Sequence, residues 1–362
     1  MTIFERRLSL LTLALLVLAG CLLLTVTSAR VGARATDPRS LRGIAMTRFK
    51  PRPSLLTVVL FILIGVLSMG VANAQHAGAR PTETDAAVRA LEGVAEIGKT
   101  WDAAAFEQTV RLYTAVHREV EWPGVREPEA VRYGPHPQQT LRLFRPEQGF
   151  SEPGPVLVFL HGNGLGESDD VVPGSEGLLY SHVGKLGARF GGIGITADYR
   201  TGKSATKRSG AEDLKLVLEW ITGHIASYGG DPGTVVLLAN SEGATNAAEY
   251  LFDEHAQMET GPGIAAAVLS SGLFGEAAPR LASLVDSYRG PRVPIALWSA
   301  EYDTAPVETG VAALYEQLCR KYRQCPWLEQ IHGHNHVSQI MSLGTPDTSV
   351  QNALIRFYHT VR

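Results

Sequence analysis

Residues 231–250 read DPGTVVLLANSEGATNAAEY, and the fold turns on how this stretch is read. The run from Val235 to Ala239 is wholly apolar. An unbroken run of that length suits a strand buried on both faces. It stops at Asn240, and Ser241, Glu242 and Gly243 lead into a helical stretch. A serine on a sharp strand-to-helix turn has its hydroxyl pushed out at the edge of the sheet, and such a turn needs small neighbours. Gly243 supplies one of them. On the other side Ala239 stands where the usual G-x-S-x-G form has its first glycine, a departure of one methyl group. Ser241 is therefore a candidate nucleophile, and a merely structural turn serine is the alternative.

Similar runs recur on either side. VLVFL, GGIGITADY, TVVLLAN, IAAAVLS, VPIALWS and WLEQI all read as strands, and TLRLFRP is the clearest strand before them. Between them lie GAEDLKLVLEWITGHIASY, GATNAAEYLFDEHA and VETGVAALYEQLCRKY, with TSVQNALIRFYHTV at the end. Strands alternating with helices imply βαβ units, so the expected fold class is α/β: a mostly parallel central sheet with helices on both faces. Ligands of such sheets bind beyond the carboxyl ends of the strands. The residues that follow each apolar run are therefore the informative ones.

VLVFL is followed by HGNGLGE, whose glycines permit a sharp turn with backbone N–H groups exposed to a developing oxyanion. VPIALWS is followed by AEYDTAP. There Asp303 is placed to orient a histidine, with Glu301 as the second choice and a helix N-cap as the structural alternative. WLEQI is followed by HGHNHVSQI, in which His336 is favoured as the general base over His334 and His332. The order Ser241, Asp303, His336 is the order in which this kind of sheet presents a triad. A metal site centred on the three histidines competes with it.

Composition sets outer bounds. The 362 residues are 45% hydrophobic and 19% charged, with a formal net charge of -3. Residues 1–74 carry +7 and the remaining 288 carry -10. An acidic body argues against a nucleic-acid partner. The basic residues belong to leader-like sequence. In residues 46–74 a basic stretch precedes the apolar run Leu55 to Val71 and the small-x-small site Ala72-Asn73-Ala74. That is the pattern of a signal peptide ending near Ala74, and an uncleaved membrane anchor is the alternative. Residues 1–45 hold a second apolar run, Leu8 to Val26, and read as an over-extended start or a membrane segment. The expected location is secreted or periplasmic, with membrane contact only through an uncleaved N-terminus. Export bears on the cysteines: Cys319 and Cys325 stand six positions apart, a spacing that closes a small disulfide loop in an oxidising compartment.

The expected organisation after the leader is an N-terminal helical segment over 75–130 and a catalytic domain over 131–362. Residues 75–100 read as a loose stretch with room for one helix. Residues 101–121 read as an amphipathic helix with Trp101, Phe106, Val110, Tyr113 and Val116 on its core face.

Taken together, FLHGNG, ADYR, AEDLKLVLEWI, YGGDPGTVVLLANSEGA, SAEYD and GHNH resemble the α/β-hydrolase superfamily, most closely its carboxylesterase, hormone-sensitive-lipase-like and feruloyl or acetyl esterase branch. The resemblance runs from about Val131 to Arg362. It implies that Ser241 is the nucleophile, Asp303 the triad acid and His336 the base. It also implies that Glu242 supplies one oxyanion N–H and that Asn163 and Gly164, in the HGNG loop, supply the other. Asp213 matches a carboxylate read as structural. Two residues depart from the pattern: Asn163 replaces a glycine, and Glu242 puts a carboxylate beside the nucleophile. The implied activity is an exported serine hydrolase of small-molecule or polysaccharide-linked carboxylic esters that needs no cofactor. An amidase or peptidase with the same triad, and a non-catalytic binding protein, remain as alternatives.

Overall fold

The apolar runs become strands and the stretches between them become helices. The computed structural model describes residues 85–162, 172, 174–175 and 178–361, all of which fall in one compact unit, Ala77–Arg362. The leader readings over 1–74, and those at Asn163 and Gly164, lie outside the described residues.

In chain order the elements are α1 (Asp85–Ile97), α2 (Ala103–Glu119), β1 (Glu129–Arg132), β2 (Thr140–Phe144), β3 (Gly154–Leu160), α3 (Ser181–Arg189) and β4 (Ile193–Ala197). Then come α4 (Ser209–His224), β5 (Gly230–Asn240), α5 (Glu242–Phe252), β6 (Ala266–Ser270), α6 (Ala278–Ser287) and β7 (Ile295–Ala300). The chain closes with α7 (Ala305–Tyr322), β8 (Trp327–Ile331), α8 (Ser338–Met341) and α9 (Ser349–Val361). The eight strands form one sheet in the order β1-β2-β4-β3-β5-β6-β7-β8. The pairs β1–β2 and β2–β4 are antiparallel, and every pair from β4 to β8 is parallel.

Period-two alternation divides the core into two layers. In β5, Leu237 and Ala239 pack with Leu214, Leu218, Ala247 and Leu251 from α4 and α5. Their neighbour Leu238 points the other way, toward Val183 and Leu186 of α3 and Val350 and Leu354 of α9. With both faces covered, β5 needs apolar residues at every position, which is why its sequence shows no alternation. Cys319, near the end of α7, is bridged to Cys325 just before β8.

A third apolar cluster lies over the carboxyl end of the sheet. Ala86, Ala90 and Val94 of α1 and Phe106, Val110, Tyr113 and Val116 of α2 pack there with Val337 and Met341. The stretch 75–100, read as having room for one helix, contains the thirteen-residue α1, whose alanines allow close approach to α2. One expectation changes here. Trp101 lies outside α2 and is 41% exposed, so it is not a core residue of that helix. The cause is Asp102, which caps the helix by accepting from Ala105 N at 2.8 Å and so starts it at Ala103.

Candidate active site

The turn between β5 and α5 sets Ser241 apart. Its backbone has φ +57° and ψ -125°, a region that L-residues rarely occupy. Its N–H donates to Ser270 O at 2.9 Å, which ties the turn to the end of β6. Two glycines make the crowding tolerable. A Cβ on Gly243 would overlap the carbonyl oxygens of Leu160 and His161. A Cβ on Gly162 would stand 2.8 Å from Ser241 Cβ. Ala239 sits fully buried within β5, opposite Leu160 and Leu269, so its extra methyl group is accommodated in the sheet and not in the turn.

Three strand ends converge. Ser241 Oγ lies 2.8 Å from His336 Nε2, and His336 Nδ1 lies 2.8 Å from Asp303 Oδ1. A carboxylate that accepts from Nδ1–H leaves Nε2 as the ring's acceptor, facing the serine hydroxyl. Asp303 is completely buried; its Oδ2 accepts from Ala300 N at 2.7 Å and from Ser271 Oγ. The helix cap position is Thr304 instead.

Two residues that the sequence reading passed over complete this chain. Gln339 Nε2 donates to Ser271 Oγ at 2.6 Å and to His336 O at 3.2 Å. Gln339 Oε1 accepts from Ser270 Oγ at 2.7 Å. Ser271 has φ +46°, which turns its hydroxyl toward Asp303. The visible signal was slight: a pair of serines just after an apolar strand, and one glutamine in the apolar stretch VSQIM.

The other candidates are placed elsewhere. Glu301 accepts from Gly333 N at 2.7 Å and steadies the histidine loop without reaching His336. His334 is buried against Ser338, Ser349 and Asp347; burial pushes the Asp347 carboxyl up, but the bond and charge of His334 together with the bonds from Ser349 outweigh it and hold the group below its usual range. The His332 side chain is 77% exposed. Among the described residues, no three His, Cys, Asp or Glu side chains converge as a metal site. Asp213 is buried, accepting from Arg200 N at 2.7 Å, from the Arg200 guanidinium and from Gln139 Nε2 at 2.7 Å, so it braces the loop after β4.

Glu242 opens α5, so its backbone N–H lies at the positive end of that helix. Burial, and after it the charge of Glu242, holds the Tyr199 hydroxyl well above its usual range. That hydroxyl donates to His161 O at 2.8 Å, and the His161 ring is stacked against both Tyr180 and Tyr199. The chain entering the HGNG loop is thus fixed at the end of β3. Trp101 closes the far side: its ring centroid lies 4.4 Å from that of His336, with the planes inclined by 55°.

Residues 139–278 match the carboxylesterase family. An inactive carboxylesterase-like protein from Byssochlamys spectabilis is 32% identical over 130 residues, which is 32% of this chain and 22% of that protein. The phenmedipham hydrolase of Pseudarthrobacter oxydans is 30% identical over 153 residues, covering 34% of this chain and 29% of that one. The chain therefore spans less than a third of the length of these two relatives. Among solved structures, esterase B from Lactobacillus rhamnosis superposes with a TM-score of 0.56 at 16% identity, over 71% of this chain and 93% of that one. A bacterial heroin esterase does so with a TM-score of 0.54 at 17% identity, over 76% and 98%. These likenesses establish the fold.

Proposed function

Because the chain has the α/β-hydrolase fold and its central part matches the carboxylesterase family, we propose that it is a serine hydrolase of carboxylic esters. One observation carries the reading: a serine in a strained strand-to-helix turn stands 2.8 Å from a histidine whose other nitrogen is held by a buried carboxylate.

In this reading His336 Nε2 takes the proton from Ser241 Oγ as that oxygen attacks the ester carbonyl. Asp303 holds the imidazole and stabilises its positive form. The tetrahedral oxyanion lies against the Glu242 N–H and the Asn163–Gly164 loop. The carbon–oxygen bond to the alcohol breaks, His336 returns the proton to the departing oxygen, and an acyl-serine remains. Water enters, gives a proton to His336 and adds its oxygen to the acyl carbon; the bond from that carbon to Ser241 Oγ then breaks, His336 returns the proton to Oγ, and the acid leaves. No cofactor enters the scheme.

Export is a further part of the proposal. It rests on the basic, apolar and small-residue pattern of residues 46–74, and the bridged pair Cys319–Cys325 suits an oxidising compartment.

The test is hydrolysis of p-nitrophenyl acetate by the wild type and by Ser241→Ala. The expected loss is about a thousandfold or more in kcat. The relative named as inactive lends weight to a second reading, a binding protein on the same fold. Equal background rates from two folded proteins would favour it.

A further inference from the structure

We propose that Trp101 forms a stacking wall on the alcohol side of the active site and selects esters whose alcohol part carries an aromatic ring. This inference rests on the ester-hydrolase reading above and names the substrate class for that site.

The first argument is geometric. Trp101 lies in the turn between α1 and α2, outside the residues that match the carboxylesterase family. Its indole stands 4.4 Å from the His336 ring, centroid to centroid, yet remains 41% exposed. His336 and Ser241 are themselves only 5% and 6% exposed. Trp101 thus adjoins the buried triad while part of the residue stays accessible to a ligand.

The second argument is that the turn is held in place. Asp102 caps α2 through Ala105 N, and Lys99 Nζ pairs with Glu308 Oε1 at 2.7 Å. Glu308 is in the first turn of α7, the helix that begins two residues after Asp303. The wall is therefore tied to the helix that follows the acid.

The third argument decides which part of the ester meets it. The proton taken from Ser241 must go from His336 Nε2 to the leaving oxygen, so that oxygen comes within hydrogen-bond reach of Nε2. The acyl group stays on Ser241 while the alcohol, R–OH, departs beside the imidazole. The side chain adjoining that ring is Trp101. A planar aromatic R group gains an offset or edge-to-face contact there, and a short alkyl group does not.

The test compares kcat/KM for 2-naphthyl acetate and ethyl acetate in the wild type, Trp101→Ala and Trp101→Phe. Each substrate is compared with itself across the variants, so the difference in leaving-group reactivity cancels. Trp101→Ala is expected to lose about tenfold on the naphthyl ester and less than twofold on the ethyl ester, with Trp101→Phe retaining most of the naphthyl activity. Ethyl butyrate is expected to follow ethyl acetate. An equal loss on all three substrates would overturn the inference, making Trp101 only a support for His336. Indifference of all three, or a loss confined to the butyrate, would overturn it too. If wild-type turnover of ethyl acetate disappears in Ser241→Ala while Trp101 proves indifferent, the ester-hydrolase reading stands and this inference alone fails. If Ser241→Ala matches the wild type, both fall together.

Discussion

Asn335 donates from Nδ2 to Thr109 Oγ1 at 2.9 Å, so the residue next to His336 is held by a helix more than two hundred positions earlier in the chain. The same asparagine accepts from Ser338 N at 2.9 Å through Oδ1. Both of its polar ends are therefore committed, and the histidine loop depends on α2 for its shape. Thr109→Val keeps the shape of that side chain and removes the acceptor. It leaves a buried N–H donor unmatched, at a cost of about 1–3 kcal/mol. The expected result is a lower melting temperature and a lower kcat, measured by thermal unfolding and by p-nitrophenyl acetate turnover.

Gly243 lets α5 press against the end of β3. In Gly243→Ala the new methyl group meets the carbonyl oxygens of Leu160 and His161, which are backbone and cannot swing aside. Either the helix or the HGNG entry must shift, with a cost of about 1–3 kcal/mol. Activity is expected to fall more than stability, because the shift separates Ser241 from the loop expected to hold the oxyanion. A variant with wild-type kcat would contradict this.

Ser241 has dihedrals close to those of the second residue of a type II′ turn, where glycine is favoured. Ser241→Gly therefore relieves about 1–2 kcal/mol of strain. The expected outcome is a protein that melts higher than Ser241→Ala and has lost its hydrolytic activity. Equal melting of the two variants would show that the turn stores no strain.

Two buried histidines join α2 and α3 to the short helix behind His336. His117 Nε2 donates to Met341 O at 2.7 Å, His182 Nε2 donates to Ile340 O at 2.9 Å, and their rings lie 4.4 Å apart. Burial lowers both, His182 to about 4 and His117 well below its usual value; the neighbouring His182 and then Lys185 add to this at His117, and the charges of Lys185 and Arg142 add to it at His182. Both are neutral when folded at pH 7. As pH falls below about 6.5 the unfolded chain binds protons that the folded one refuses, so stability is lost on acidification. The loss continues down to about pH 4 and is of order 3 kcal/mol from His182 alone. Urea unfolding between pH 7 and pH 4 measures it, and His182→Gln is expected to flatten the slope.

The sequence made the centre of the fold legible because β5 is buried on both faces, so its run of apolar residues had one reading. The same holds for the residues after β7 and β8, where chain order alone brings Asp303 and His336 to one edge. Trp101 was misjudged because the apolar spacing of α2 extends one turn past its true start, and the cap at Asp102 outweighed it. Ser271 and Gln339 escaped notice for another reason. They become neighbours only when β6 lies between β5 and β7, and no local pattern encodes that adjacency. β1 was equally hidden: its EAVR sequence is mostly exposed at the sheet edge and has no apolar face to show.

The most direct measurement is reaction of the purified protein with a fluorophosphonate, followed by peptide mass spectrometry. The account predicts one covalent adduct, on Ser241, formed by the wild type and abolished or slowed about a thousandfold in His336→Ala. An adduct on another residue, or none on a folded and otherwise intact protein, would contradict it.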